Sequence, residues 1–140
     1  MKKNENNAER LIRAALYIRV SGEEQKVKGL SLEAQQERLE TYANEHGWII
    51  AGIFIDAAKT ARKNMHKRAE FQKMIEAVKR DEIDLLLFCR LDRWFRSVAD
   101  YYKVMEILQA HGCDWKTVDE EYDTTSANGR LYINVKLSIA

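Results

Sequence analysis

Residues 83–89 read Ile-Asp-Leu-Leu-Leu-Phe-Cys, an almost unbroken apolar run of strand length. Such a run is what a central parallel strand covered on both faces requires, so it sets the frame for its neighbours. Ile12–Val20 (IRAALYIRV) and Trp48–Asp56 read as two further strands, and Asp114–Val118 as another. Helical patterns fall between them. Leu30–Glu45 has Ser31 as a candidate N-cap and His46-Gly47 at its end. Arg68–Arg80 carries Phe71, Met74, Ile75 and Val78 at i, i+3, i+4, i+7. Ser97 and Asp100 make an S-x-x-D start for a helix whose expected face is Val98, Tyr101, Tyr102, Met105 and Leu108, stopping at His111-Gly112. Alternation of this kind predicts an α/β domain with a central, mostly parallel sheet of about four to five strands flanked by helices. Leu131, Val135 and Ile139 mark one last helix, running to Ala140 without a stop signal, and it reads as truncated.

The 140 residues suit one core and one domain, 1–140. With 46% apolar and 32% charged residues the chain fits a globular protein rather than a disordered one. Its longest apolar runs fall far short of the roughly 20 residues of a spanning helix. The start MKKNENN has no secretory apolar region behind it, so a cytoplasmic protein with no membrane partner is expected. Cys89 and Cys113 lack metal-site or disulfide spacing, so no metal is expected. The net charge of +1 conceals clustering: Lys59, Arg62, Lys63, Lys67 and Arg68 form a basic stretch, and Asp119, Glu120, Glu121 and Asp123 an acidic one.

Period two places Tyr17, Arg19 and Ser21 on one side of the first strand and Leu16, Ile18 and Val20 on the other. Ser21 stands where that strand ends, at the carboxyl edge at which open α/β sheets bind ligands. The apolar strand empties into Arg90-Leu-Asp92-Arg93-Trp-Phe-Arg96, bringing three arginines to the same edge. Cations at helix starts are unfavourable without an anionic partner, and a phosphate is one such partner for Arg93, Arg96 and Arg68. A hydrolase elbow and a P-loop are absent, and C-x5-R fails on register from either cysteine. Attack on a phosphodiester by Ser21, with guanidinium groups neutralising the phosphate oxygens, fits the residues that remain. A metal-dependent nuclease built on Asp56 and Asp92, and a non-catalytic assembly or regulatory module, are the alternatives.

Tyr17-Ile-Arg19-Val-Ser21, Gln25, Ser31-Leu-Glu-Ala-Gln35, the Arg68-Ala-Glu-Phe71 helix start and Leu91-Asp92-Arg93-Trp-Phe-Arg96 resemble, in order and spacing, the N-terminal catalytic domain of serine site-specific recombinases, the resolvase and invertase superfamily. The interval between Ser21 and the S-L-E-A-Q segment is similar to that of the large serine recombinases. The resemblance implies a resolvase-like fold and DNA recombination through a 5′-phosphoserine intermediate, for excision or integration of a mobile element. It implies Ser21 as nucleophile, Arg19, Arg68, Arg93 and Arg96 as phosphate binders, Asp92 as their orienter or a proton-transfer aid, and Tyr17, Gln25 and Gln35 as supports. Arg62, Lys63 and Lys67 would contact DNA. The implied partners are double-stranded DNA and further copies of the protein, a dimer and a synaptic tetramer at full length. No metal, ATP or other cofactor is implied. Many relatives carry proline where Ala69 stands, so the resemblance leaves that helix start less fixed. It also implies that a longer last helix and DNA-binding domains are missing from 1–140, and that this fragment alone is inactive.

Overall fold

The computed structural model describes residues 11–21, 31–58, 68–90 and 97–119. Within them, strands β1 (Arg13–Ser21), β2 (Ile49–Ala58), β3 (Leu85–Phe88) and β4 (Asp114–Thr117) alternate with helices α1 (Leu32–Glu45), α2 (Ala69–Lys79) and α3 (Val98–Ala110). The four strands form one sheet in the order β2-β1-β3-β4, parallel throughout. All four residues of β3 are buried, as its apolar run requires.

Alternation along β1 divides the core. Leu16, Ile18 and Val20 pack with Leu39 and Ala43 of α1 on one face. Ala15 and Tyr17 pack with Phe71, Met74 and Val78 of α2 and with Tyr101, Val104 and Leu108 of α3 on the other. The result is a layer of helix, a sheet and a layer of two helices. Arg13 pins the amino ends of the inner strands: its backbone N–H and Nε both donate to Asp84 Oδ2, at 2.9 and 3.0 Å, and Nη2 donates to Oδ1 at 3.1 Å.

The helix punctuation follows side-chain chemistry. Ser31 Oγ accepts the Ala34 N–H and Ser97 Oγ the Asp100 N–H, each at 3.1 Å, while Gly47 and Gly112 take φ of 73° and 65° just past the ends of α1 and α3. The expected α3 face differs at one residue. Val98, Tyr101, Met105 and Leu108 pack on the core and Val104 joins them, whereas Tyr102 is 45% exposed, because 100° per residue carries position 102 off the stripe set by 101 and 104. The Leu131–Ala140 segment lies outside the described residues.

One irregularity decides what reaches the carboxyl edge. Ala14 pairs with Ile50 but Ala15 with Gly52, so Ala51 is an extra residue in β2. Before it, Trp48 and Ile50 pack on the α1 side; after it Ile53 and Ile55 do, and Phe54 turns to the α2 side. Asp56 follows Phe54 by two residues and so shares its face, opposite Arg19 in the ladder.

Candidate active site at the carboxyl edge of the sheet

The ladder between β1 and β3 covers Ala14–Leu16, whereas the ladder between β1 and β2 continues to Ser21. The chain crosses from one side of β1 to the other between β2 and β3, which makes the carboxyl ends of β1 and β3 the switch point at which such sheets form binding crevices. Ser21 is the last residue of β1, and β3 passes through Cys89 and Arg90 to the segment 91–96.

Tyr17 is fully buried, and its hydroxyl donates to Asp56 Oδ2 at 2.8 Å. Burial foremost, then the charge and hydrogen bond of Asp56, push the phenol far above its ordinary pKa; the nearby charges of Arg68 and Arg19 oppose this and are outweighed. The hydroxyl is thus a fixed donor, and both arginines lie close enough to it to be felt.

Arg68 occupies the N-cap of α2 in a left-handed conformation, φ 41° and ψ 58°, with no side-chain capping bond of its own. The cap comes from the neighbouring strand: Asp56 Oδ1 accepts the Glu70 N–H at 2.9 Å and Oδ2 the Phe71 N–H at 3.0 Å. A carboxylate on two free N–H groups at a helix start gains from the hydrogen bonds and from the helix dipole. The start of α2 is therefore well fixed with alanine at position 69. Asp56 is neither a plain strand end nor a natural metal carboxylate, since its two oxygens already serve three donors, which removes the main support for the nuclease alternative. No cluster of metal-binding side chains occurs among the described residues.

The anion expected beside Arg68 is internal. Arg68 Nη2 lies 3.1 Å from Asp100 Oδ2 in the first turn of α3, and its Cζ stands 4.2 Å from the centre of the Phe71 ring. Arg68 is only 4% exposed. On the α1 side Gln35 is buried; its Nε2 lies 3.5 Å from the Arg19 carbonyl, and its backbone carbonyl accepts the Cys89 thiol at 3.9 Å, so it spans the ends of β1 and β3.

The structure thus gathers Tyr17, Arg19, Arg68 and Gln35 around the end of the strand that delivers Ser21. Gln25, Arg62, Lys63, Lys67, Asp92, Arg93 and Arg96 lie outside the described residues. Asp56 and Asp100 are the members whose roles sequence reasoning missed. A carboxylate at the end of a strand that precedes a helix start was the available signal for Asp56. For Asp100 the signal was the S-x-x-D motif, whose acid also reaches Arg68 at the start of a neighbouring helix.

A parallel α/β sheet whose first strand ends in a serine, with arginines on neighbouring positions, is the arrangement that the resemblance to serine recombinases implied. A family model described as "Resolvase, N terminal domain" matches residues 14–140, and the chain belongs to that family. It is 31% identical to the N-terminal catalytic domain of TP901-1 integrase, covering 91% of this chain and 92% of that one with a TM-score of 0.67. It is 28% identical to a resolvase family site-specific recombinase from Streptococcus pneumoniae, covering 91% and 86% with a TM-score of 0.71. Over 52 residues it is 42% identical to "Uncharacterized immunity region protein 3" of Bacillus phage phi105, a match spanning 37% of this chain and 62% of the length of that relative. Among the described residues no helix is long and apolar enough to cross a membrane.

Proposed function

We propose that this chain is the catalytic domain of a recombinase that cuts and rejoins double-stranded DNA through Ser21. The observation that carries the reading is the placement of Arg19 two residues before Ser21 on β1, with Arg68 at the start of α2 laid on the Phe71 ring that packs against Tyr17. The Ser21 oxygen attacks the scissile phosphorus, and a P–O bond to serine forms as the bond to the 3′ oxygen breaks. The serine hydroxyl gives up a proton and the departing 3′ oxygen gains one, leaving a 5′-phosphoserine and a 3′-hydroxyl. Attack by a 3′-hydroxyl of the partner strand reverses the step, so bond energy is conserved and no nucleotide is consumed. Arg19 and Arg68, with Arg93 and Arg96 from the segment after β3, neutralise the phosphate oxygens as charge builds on them. Asp92 orients these arginines or aids proton transfer, Gln25 and Gln35 support the pocket, and Arg62, Lys63 and Lys67 hold the DNA backbone. The kinship with an integrase catalytic domain supports excision or integration of a mobile element as the setting, with protomers pairing and synapsing on DNA at the nucleoid.

The test is to react the recombinase carrying this domain with a duplex containing its crossover site, stop with denaturant and map the adduct. DNA joined through its 5′ phosphate to a peptide containing Ser21, lost in Ser21→Ala and indifferent to chelator, is the expected result. An adduct at Tyr17, or chelator-sensitive cleavage by Ser21→Ala, overturns the reading.

A further inference from the structure

Asp100 is anchored through both its backbone and its side chain. Its backbone N–H donates to Ser97 Oγ at 3.1 Å, fixing it in the first turn of α3, and its carboxylate meets Arg68 Nη2 at 3.1 Å. Arg68 has a left-handed backbone at the start of α2, and its guanidinium rests on the Phe71 ring and meets Asp100. A non-glycine residue keeps that backbone conformation only where its surroundings impose it, and such residues gather at functional sites. The side chain of Arg68 is 3% exposed and that of Asp100 20%, so the pair is sheltered from the screening that makes surface pairs weak. α3 also begins directly after the segment 91–96 that carries Arg93 and Arg96.

We propose that Asp100 is a positioning residue for DNA strand transfer: it aims the Arg68 guanidinium before DNA arrives and ties that aim to the start of α3. This rests on the reading of Arg68 as a phosphate binder. An arginine side chain has four rotatable bonds, and one already oriented needs no reordering as the transition state forms. Asp100 touches no reacting atom; it acts through Arg68.

The experiment measures single-turnover cleavage from preformed protein–DNA complexes, beside DNA affinity and thermal melting, for wild type, Asp100→Ala, Asp100→Asn, Asp100→Glu, Arg68→Ala and the Arg68→Ala/Asp100→Ala double variant. Cleavage per bound complex is expected to fall about tenfold or more in Asp100→Ala, less in Asp100→Asn, and to recover in part in Asp100→Glu, with DNA affinity held within about twofold. In the Arg68→Ala background, loss of Asp100 is expected to cost nothing further. A purely structural latch between α2 and α3 instead lowers melting while leaving cleavage per bound complex unchanged, and that result overturns the inference, as do equal losses in both backgrounds or faster cleavage in Asp100→Asn. If Asp100→Ala does not fold, the comparison of Asp100→Asn with Asp100→Glu decides. Wild-type protein that forms no Ser21 adduct sinks the reading of the site and this inference together; an adduct whose formation ignores Asp100 sinks the inference alone.

Discussion

Tyr17, midway along β1, and Asp56, near the carboxyl end of β2, stand 39 positions apart and meet through a hydrogen bond of 2.8 Å. The same carboxylate fastens the first turn of α2, so a single acid joins two strands and a helix start. Asp56→Ala removes three acceptor contacts and a favourable charge at the helix N-terminus. The expected loss is about 2–4 kcal/mol, given about 1 kcal/mol for a typical cap and 1.5–3 kcal/mol for a hydrogen bond to a charged group. Differential scanning calorimetry should register this as a drop in melting temperature of about 10 °C.

Tyr17 links stability to alkaline pH. In the unfolded chain a tyrosine ionises near pH 10, whereas the folded hydroxyl, buried beside Asp56, keeps its proton well above that. Above pH 10 the unfolded state therefore binds fewer protons than the folded one, and stability falls as pH rises; below pH 10 the contribution is fully present. Urea melts from pH 8 to 11 are expected to show this decline, and Tyr17→Phe should flatten it. A Tyr17→Phe slope as steep as wild type would place the effect elsewhere.

Asp84 serves the opposite edge of the sheet. It is 5% exposed and accepts three bonds from Arg13, while Arg13 Nη2 also donates to the Asp81 carbonyl at 2.9 Å. Asp84→Ala leaves a guanidinium and a strand N–H without these acceptors, and about 3 kcal/mol of destabilisation is expected from chemical denaturation, the low end for breaking a buried pair because Arg13 is partly solvated. DNA cleavage by the remaining folded protein should be unchanged, since no phosphate-binding group is moved.

Arg19→Ala is the chemical counterpart. Its backbone is fixed in the ladder opposite Asp56, so truncating the side chain removes charge without moving the strand. Cleavage in the recombinase is expected to slow on the order of a hundredfold, as loss of a charged transition-state donor does, with melting within about 1 kcal/mol of wild type. Quench-flow cleavage beside calorimetry separates the two quantities.

The strands, the caps at Ser31 and Ser97 and the glycine stops at Gly47 and Gly112 were legible because each is decided within a few residues, by period or by one side chain meeting a nearby backbone group. The shared strand face of Tyr17 and Arg19 was legible for the same reason. Tyr102 misled because the α3 pattern admits two adjacent apolar phases, and only packing against Phe88 and Trp115 selects the one containing Tyr101. Asp56 and Asp100 each carried a local signal, but their pairings were not legible because the partners lie 14 to 39 residues away. The internal anion for Arg68 needed the knowledge that the starts of α2 and α3 are neighbours.

The extra residue at Ala51 makes β2 a strand with two reading frames. An alignment that closed a one-residue gap there would score the deletion as harmless, since Ile50 and Ile53 on either side of Ala51-Gly52 stay apolar. Physically the deletion is a half-turn about the strand axis for everything downstream: Asp56 would rotate towards α1, and α2 would lose its cap. For those who splice catalytic domains of this kind into chimaeras, the length of β2 is a functional parameter, and a crossover placed between Ile50 and Gly52 must conserve the count as well as the composition.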